Sequence, residues 1–249
     1  MKFQGENFMQ QRLIKKSPVW ACVILLSAFA ANSVLAQSTI FNIPSTDVVA
    51  EKTAYLEADF LTHFGSYERG GFRSYGYRMN YGLKKNVEIG ANFFYTRNGN
   101  ETSPKEIQPN VKWKIYTNER YGIGVSTGAM LFVPLDKSAG TRTFGLIYSN
   151  VSKVFKSARG MRLTGGFYTL VGAKREVGTK TCAIVGIEQP VFRRLSFLAD
   201  WYSGKNRFGY SAAGFGLPIT KRQFVYAGYN FGNTGRANNY FSAFYGVAF

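Results

Sequence analysis

The chain has few of the side chains on which most enzymes and metal proteins depend. Its 249 residues include two cysteines, Cys22 and Cys182, and one histidine, His63. Cys22 lies in a segment that we expect to be removed, so Cys182 has no partner for an intrachain disulfide, and a cysteine-based metal site is not expected. We also find no glycine-rich nucleotide loop, no paired-cysteine motif and no histidine cluster. The sequence therefore predicts no metal and no cofactor.

Long apolar runs are also missing, except near the start of the chain. Residues 1–36 combine four basic residues, the apolar stretch 19–31 and small residues ending at Ala36, before Gln37. That stretch is shorter than the roughly 20 residues of a spanning helix, and the pattern is typical of a secretory signal peptide. A retained N-terminal anchor is the alternative. Beyond residue 36 no apolar run reaches this length, so the pattern there does not favour a helical membrane protein.

The rest of the chain shows alternation of polar and apolar residues at every second position. This period predicts β-strands with one apolar face. The clearest case is 75–83, in which tyrosine, methionine and leucine alternate with Gly76, Arg78, Asn80 and Gly82. Twelve such segments are separated by turn residues, near 53–64, 73–83, 87–97, 107–117, 121–133, 143–155, 161–172, 181–192, 195–203, 209–219, 223–232 and 240–249.

The connections between these segments alternate in length. Short polar turns and longer loops follow one another, the turns at 84–86, 118–120, 156–160, 193–194 and 221–222, and the loops at 65–72, 98–106, 134–142, 173–180, 204–208 and 233–239. Transmembrane β-barrels have short periplasmic turns and longer extracellular loops. We therefore predict an all-β fold, a transmembrane antiparallel barrel of about 12 strands over residues 53–249. A soluble sandwich or lipocalin is the alternative fold, and ten to fourteen strands are compatible with the pattern.

The last segment, 240–249, carries a further signal. Its alternate residues, counted back from Phe249, are all apolar or aromatic. This ending resembles that of Gram-negative outer-membrane β-barrels, which finish on phenylalanine after alternating hydrophobic residues. The resemblance implies an outer-membrane location with both ends of the mature chain in the periplasm. It also implies contact with outer-membrane lipids and lipopolysaccharide, and recognition by the barrel-assembly machinery. The residues assigned to this assembly signal are Phe241, Tyr245, Val247 and Phe249.

Residues 37–52 precede the first predicted strand. They read Gln-Ser-Thr-Ile-Phe-Asn-Ile-Pro-Ser-Thr-Asp-Val-Val-Ala-Glu-Lys. We assign them as a periplasmic lead-in to the barrel. A short segment folded into the lumen is the alternative, and the sequence does not decide between the two.

Acidic residues are scarce, 14 against 31 lysines and arginines, and the formal net charge is +17. Removing residues 1–36 takes away four bases and one acid, which leaves 27 − 13 = +14. A basic barrel suggests an anion channel, because a charged pore concentrates the opposite ion. However, the strand assignment places most of this charge in turns and loops. The charges predicted to line the lumen are five acids and four bases, namely Glu57, Asp59, Glu88, Glu188, Asp200, Arg78, Lys112, Lys114 and Arg162.

These nine charges permit two interpretations. Neighbouring strands alternate in sign, so cross-strand ion pairs could fill the lumen as a structural network. Alternatively, an acidic and a basic wall could face each other across a water-filled pore. Barrels of eight strands are filled by side chains and barrels of sixteen leave a channel, so twelve strands are intermediate. Small inward residues such as Gly90 and Gly128 favour the narrow pore slightly.

The sequence thus predicts a narrow porin-like channel for small hydrophilic solutes, including anionic ones. The alternative is a closed structural or surface-interaction barrel that binds lipopolysaccharide or another envelope component. A lipid-modifying enzyme is a third possibility, but no hydrolase motif surrounds His63, which projects into the predicted lumen. We therefore predict that the protein is not an enzyme. No nucleic-acid partner is expected, and no surface pattern predicts an oligomeric state.

Overall fold

The computed structural model describes residues 38–99, 103–136, 142–174, 177–235 and 239–249. The predicted signal peptide, residues 1–36, lies outside these ranges. Within them, no helix is long and apolar enough to cross a membrane. The twelve strands are β1 Ala54–His63, β2 Phe72–Lys84, β3 Val87–Arg97, β4 Lys105–Asn118, β5 Ile123–Pro134, β6 Phe144–Phe155, β7 Met161–Val171, β8 Thr181–Phe192, β9 Leu195–Tyr202, β10 Tyr210–Pro218, β11 Gln223–Gly232 and β12 Tyr240–Ala248.

The strands form one closed antiparallel barrel. Each strand pairs with the next along the chain, and β12 pairs with β1 to close the sheet. This seam runs from Tyr55 opposite Ala248 to Thr62 opposite Phe241. Beyond β12, the N–H of Phe249 donates to the carbonyl of Ala54 at 2.8 Å. Closure removes both sheet edges, so the backbone groups of every strand find partners within the barrel. The predicted 12-stranded antiparallel barrel is confirmed.

The predicted alternation of connection lengths is also present. The intervals between consecutive strands are short at 85–86, 119–122, 156–160, 193–194 and 219–222, and longer at 64–71, 98–104, 135–143, 172–180, 203–209 and 233–239. The first residue of β1 and the last residue of β12 lie at the same end of the barrel as the short turns. We call this the turn end and the opposite end the loop end.

The outer surface of the barrel is apolar, and the inner surface is mostly polar. On β2 the side chains of Tyr77 and Met79 are 61% and 56% exposed, whereas Asn80 between Met79 and Tyr81 is buried. The same alternation continues on β6. Tyr148 and Asn150 point inward and are buried. Such a continuous apolar exterior needs a lipid environment, because soluble monomers rarely expose large apolar patches.

The segment of residues 38–49 lies inside the barrel, and we call it the inner segment. It forms a tight reversal, in which Thr39 bridges Pro44 and the N–H of Ile40 donates to the carbonyl of Ile43 at 2.9 Å. Most of its side chains are buried. The assignment of these residues as a periplasmic lead-in is therefore wrong, and the alternative of a segment folded into the lumen is what the structure shows.

The chain leaves the lumen at the turn end beside Gly82. Glu51 forms a parallel bridge with Gly82, and the N–H of Lys52 donates to the carbonyl of Gly82 at 2.8 Å. A side chain at Gly82 would meet the carbonyl oxygen of Ala50 at 1.9 Å from its Cβ. Glycine at this position therefore lets the backbone of the inner segment approach the barrel wall.

Candidate functional site

Arg78 lies between two acidic side chains of the neighbouring strand. Its Nε is 2.6 Å from Oδ2 of Asp59 and 3.3 Å from Oε1 of Glu57. Both carboxylates are buried, and Glu57 also accepts a hydrogen bond of 2.6 Å from the hydroxyl of Tyr55. Because all these groups face the lumen near the β1–β12 seam, they form a compact ionic cluster in the barrel wall.

Lys112 connects the barrel wall to the inner segment. Its ammonium lies 3.8 Å from Oε1 of Glu88 and donates to the carbonyl of Ser38 at 2.6 Å and to that of Asp47 at 2.8 Å. Glu88 in turn accepts hydrogen bonds from the Ser38 hydroxyl and from the N–H of Val49. The buried charge pair is thus satisfied by backbone groups of the segment, which lowers the cost of its burial.

A second ionic cluster lies closer to the turn end, around Asp47 of the inner segment. Arg162 pairs with Asp47 and with Glu188, and its Nη2 lies 2.7 Å from Oε1 of Glu188. Lys114 pairs with Asp47 at 3.2 Å. Burial opposes the ionisation of Asp47, but the positive charges of Arg162 and Lys114 outweigh it and hold the pKa of this carboxyl below its usual range.

Asp200 interacts with backbone groups of the inner segment. Its Oδ2 accepts hydrogen bonds from three consecutive N–H groups, those of Phe41 at 3.0 Å, Asn42 at 2.5 Å and Ile43 at 2.9 Å. The tip of the reversal is therefore anchored by one buried carboxylate. Hydrogen bonds from N–H groups to an ionised acceptor are roughly twice as strong as neutral ones.

Further contacts fasten the inner segment on the other walls. The hydroxyls of Thr46 and Ser152 are 2.5 Å apart, and Asn150 donates to the carbonyl of Pro44 at 2.5 Å. Phe41 packs edge-on against Phe244 of β12 with ring centroids 5.4 Å apart. Because these partners lie on several strands around the barrel, the segment obstructs the half of the lumen near the turn end.

Above the inner segment, toward the loop end, the lumen contains a cavity of about 730 Å³. Its floor includes Ser38, Asn42 and Lys112, and its walls include many amide and aromatic side chains. The cavity reaches loop residues such as Asn98 and Pro104. Small inward residues and the intermediate strand number leave this space open.

A loop folds over the loop end of this cavity. Arg207, in the connection between β9 and β10, donates to both carboxylate oxygens of Glu106 at 2.8 and 2.9 Å. Its guanidinium also lies 5.1 Å from the ring centroid of Phe132 and 5.6 Å from that of Phe144. The connection is thereby drawn inward and held by a two-point ion pair and aromatic contacts.

All nine charges predicted to line the lumen face it, and eight of them lie within ion-pair distance of an opposite charge. The exception is Asp200, which binds backbone N–H groups. Acids and bases on neighbouring strands contact one another. The described lumen therefore has an ion-pair network and not the two opposed walls that the sequence also allowed. This network includes Asp47, whose segment was placed outside the barrel by the sequence-based assignment.

Two further charged groups of the lumen, the pair of Glu106 with Arg207 and the carboxylate of Asp47, do not follow from the sequence pattern. Glu106 was assigned to a loop, although β4 begins at Lys105, and its pairing with Arg207 could not be expected. Asp47 was not distinguished from other residues of the lead-in. The sequence signal for Asp47 was that inward bases outnumber inward acids near Lys112, Lys114 and Arg162. Because buried charges need partners, this excess indicated an additional carboxylate nearby.

His63 lies at the end of β1, and its Nδ1 is 2.6 Å from the backbone carbonyl of Asn239. The hydrogen bond that the structure gives to this histidine therefore goes to the backbone, whereas a nucleophilic site would require a serine or a similar group within reach. In the part of the chain that the structure describes, no group of three or more His, Cys, Asp or Glu side chains could hold a metal ion.

The residues of the assembly signal lie on the lipid-facing side of β12. Tyr245 and Phe249 are 42% and 43% exposed, whereas Phe244 and Ala248 between and beside them are buried. Phe241 and Val247 share the outward face by the alternation of the strand. Their role in assembly stays a prediction.

Comparison with known proteins identifies a fold and no family. No protein-family model matches the chain, and no curated protein matches it. Among solved structures, the COG4313 outer membrane channel from Pseudomonas putida F1 is similar, with a TM-score of 0.50, 10% identity and coverage of 89% of this chain and 100% of that one. Outer membrane phospholipase A from Escherichia coli is also similar, with a TM-score of 0.47, 15% identity and coverage of 82% and 94%. The chain therefore has the fold of an outer-membrane β-barrel.

Proposed function

We propose that the protein is an outer-membrane channel for small hydrophilic solutes, in which the inner segment restricts the passage. The observation that carries this proposal is the cavity of about 730 Å³ inside the closed barrel, which extends from the loop end to the inner segment. Barrels filled by their own side chains do not leave such a space. The apolar exterior supports residence in the membrane, and the position of both barrel ends at the turn end supports periplasmic termini.

The barrel does not depend on the inner segment, so the segment is a restriction that can be removed without disrupting the barrel. Every strand of the barrel pairs with two other strands, and the seam is closed by β1 and β12 themselves. The segment is held by side-chain contacts such as those of Asp200 and Lys112. Loss of the segment therefore leaves the sheet and its backbone hydrogen bonds intact.

Conductance in planar lipid bilayers tests this proposal. We expect small steps from the purified protein and larger steps from a variant lacking residues 38–47. A disulfide between Thr46→Cys and Ser152→Cys, in a Cys182→Ser background, should hold the segment in place, because the two hydroxyls that it replaces are 2.5 Å apart. Under oxidising conditions this variant should give the small steps of the parent and no larger ones.

A matched pair of glycine substitutions provides a control. A Cβ at Gly186 would lie 2.7 and 2.8 Å from Cδ1 of Ile43 and Ile40, so Gly186→Val should displace the inner segment. Gly165 has no atom within 4 Å of its added Cβ, so Gly165→Val should leave conductance unchanged. The channel proposal is wrong if neither the parent nor the deletion variant conducts while both run as heat-modifiable, folded barrels.

The second candidate function is a closed barrel that interacts with the cell envelope. It is favoured by the inner segment and the two ionic clusters, which together fill the lumen near the turn end. In this case the basic loops would contact lipopolysaccharide, and the final strand would engage the barrel-assembly machinery. Binding of lipopolysaccharide micelles without conductance in any variant would support it.

We also infer that the protein is not an enzyme. The support is the bond of His63 to a backbone carbonyl, which leaves the ring without a serine partner in the described chain. Hydrolysis of phospholipid by the purified protein, and its loss on His63→Ala, would overturn this inference. A His63→Gln control would separate loss of a base from loss of the contact to Asn239.

A further inference from the structure

One wall of the luminal cavity consists of amide side chains on adjacent strands. Asn80 on β2, Asn92 on β3, and Gln108 and Asn110 on β4 all line it. They are neighbours in the sheet, since Asn80 is opposite Gly90, Gly90 is opposite Asn110, and Asn92 is opposite Gln108. The amide of Asn92 donates to the amide oxygen of Gln108 at 3.1 Å. Each amide offers both donors and acceptors, the combination that complements a hydroxyl group.

Within this wall, Asn80 has an unused acceptor. Its side chain is buried, with 6% exposure, and in the described chain no group donates to its Oδ1. A Cβ at Gly90 would lie 2.0 Å from this oxygen and 3.0 Å from Oδ1 of Asn110, so only a glycine at this position leaves room for both amide oxygens beside it. A buried acceptor without a donor carries a cost that a ligand hydroxyl would remove.

Aromatic rings flank the same cavity toward the loop end. Tyr210 and Tyr240 lie edge-to-face with centroids 5.1 Å apart, and Tyr240 also contacts Phe72 at 5.7 Å. All three rings line the cavity, as does Phe94. Ring faces of this kind pack against the C–H surfaces of a sugar ring, while a few polar groups fix its orientation.

The charged groups of the cavity favour a neutral ligand. Of the four basic residues that line it, Arg78, Lys112 and Arg207 are each within ion-pair distance of a carboxylate, and the fourth, Lys105, is exposed at the loop end. An anionic ligand would have to displace these carboxylates from cations that they already contact. A neutral ligand avoids this cost, since the hydrogen bonds of the amide wall do not depend on net charge.

We propose that this cavity is a binding site for a neutral polyhydroxylated solute of the sugar class. The amide wall of Asn80, Asn92, Gln108 and Asn110 would bind its hydroxyls, and the rings of Phe72, Tyr210 and Tyr240 would pack against its apolar faces. The inference deepens the proposed channel function by naming its solute class. The site itself, however, requires only the cavity and not passage through the barrel.

Titration calorimetry on the detergent-solubilised protein tests the site, with maltose as the probe. We expect saturable binding in the millimolar range. Asn80→Ala and Tyr210→Leu should each weaken it about 3- to 10-fold, the factor for one lost hydrogen bond or packing contact. The matched controls are Asn118→Ala, in the strand end near a short turn, and Tyr81→Leu, on the lipid face. Neither should change maltose affinity.

Glucuronate and uridine distinguish a neutral sugar from an anionic one and from a nucleoside. The inference is overturned if maltose shows no saturable binding, if either of these probes binds more tightly, or if the two cavity variants bind like the parent. Heat-modifiable migration of every variant verifies the fold. Conductance without maltose binding would refute only this inference, whereas maltose binding without conductance in any variant would refute only the channel.

Discussion

At the scale of single residues, Asp47 connects two strands of the barrel wall, β4 and β7, through three basic side chains. It lies outside the strands, yet its carboxylate contacts both Arg162 and Lys114, and its backbone carbonyl accepts from Lys112. A carboxylate between two bases keeps its negative charge to lower pH than a free one. Removal of this charge would leave two half-buried bases with less compensation.

We expect Asp47→Asn to lower the free energy of unfolding by about 1–2 kcal/mol at neutral pH, between the values of exposed and buried pairs. Because the pKa of Asp47 is lowered in the folded protein, its stabilisation is complete above the usual aspartate pKa of about 4 and is lost as the pH falls through the lowered value. Urea unfolding of both proteins between neutral and strongly acid pH measures this difference.

The difference between the parent and Asp47→Asn should be constant from pH 7 to about pH 5 and should disappear in strong acid. Glu119→Gln is a control, since Glu119 lies in a short turn outside the strands. A difference that persisted unchanged in strong acid would show that the asparagine acts through packing and not through charge.

Residue roles were only partly predictable. The inward direction of Arg78 and Glu57 follows from the period of two, because neighbours on a strand point to opposite faces. By contrast, Asp200 looks the same as Asp59 in this pattern, but one binds three N–H groups and the other binds Arg78. Which partner each carboxylate binds depends on which part of residues 38–49 approaches it.

At the scale of elements, the connection 203–209 differs from an ordinary surface loop. Phe208 packs against Phe132 with centroids 5.0 Å apart, and Arg207 pairs with Glu106, which lies 101 positions earlier in the chain. The connection therefore closes part of the cavity at the loop end. Arg207 contributes to this inward fold through both its ion pair and its aromatic contacts, alongside the ring packing of Phe208.

We expect Arg207→Ala to increase the rate of chymotryptic cleavage after Phe208 about 5- to 10-fold. The lost contacts contribute about 1–1.5 kcal/mol, and cleavage of a loop follows the population of its open form. Lys205→Ala is the matched control, because it removes a neighbouring exposed base of the same connection. Equal cleavage rates for Arg207→Ala and the parent would show that Arg207 does not hold the connection.

The strands themselves were predictable and this connection was not. The alternation in 75–83 is a local pattern, and the structure has β2 at Phe72–Lys84. Glu106 and Arg207 both fell in predicted loops, where no periodic pattern indicates a partner. Their contact exists because barrel closure brings β4 and the β9–β10 connection to the same lumen.

At the scale of the whole molecule, the distribution of charge separates the lumen from the surface. The formal charge of the full chain is +17. Adding Asp47 and Glu106 to the five predicted luminal acids gives seven, and adding Arg207 to the four predicted bases gives five. The named luminal groups are thus slightly acidic, and the excess positive charge lies elsewhere.

We expect weak ion selectivity, with a permeability ratio of cations to anions within about threefold of unity, since paired charges produce little net field in a pore. Reversal potentials in a KCl gradient, measured on the variant lacking residues 38–47, give this ratio. Asp59→Asn should shift the ratio toward anions, and Glu119→Gln, in a short turn, should not. A strong anion preference of this deletion variant would show that the basic loops and not the luminal groups control permeation.

The sequence by itself determined that this protein consists of about twelve strands with an apolar face, as in a transmembrane barrel, because period-two alternation and turn residues act over a few neighbouring positions. Only the tertiary structure decided what occupies the lumen. Phe41 meets Asp200 across 159 positions of sequence, and Lys112 meets Ser38 across 74. Such contacts depend on the three-dimensional closure of the sheet, which brings distant charges and a peptide segment into one confined space, and no local pattern of residues encodes them.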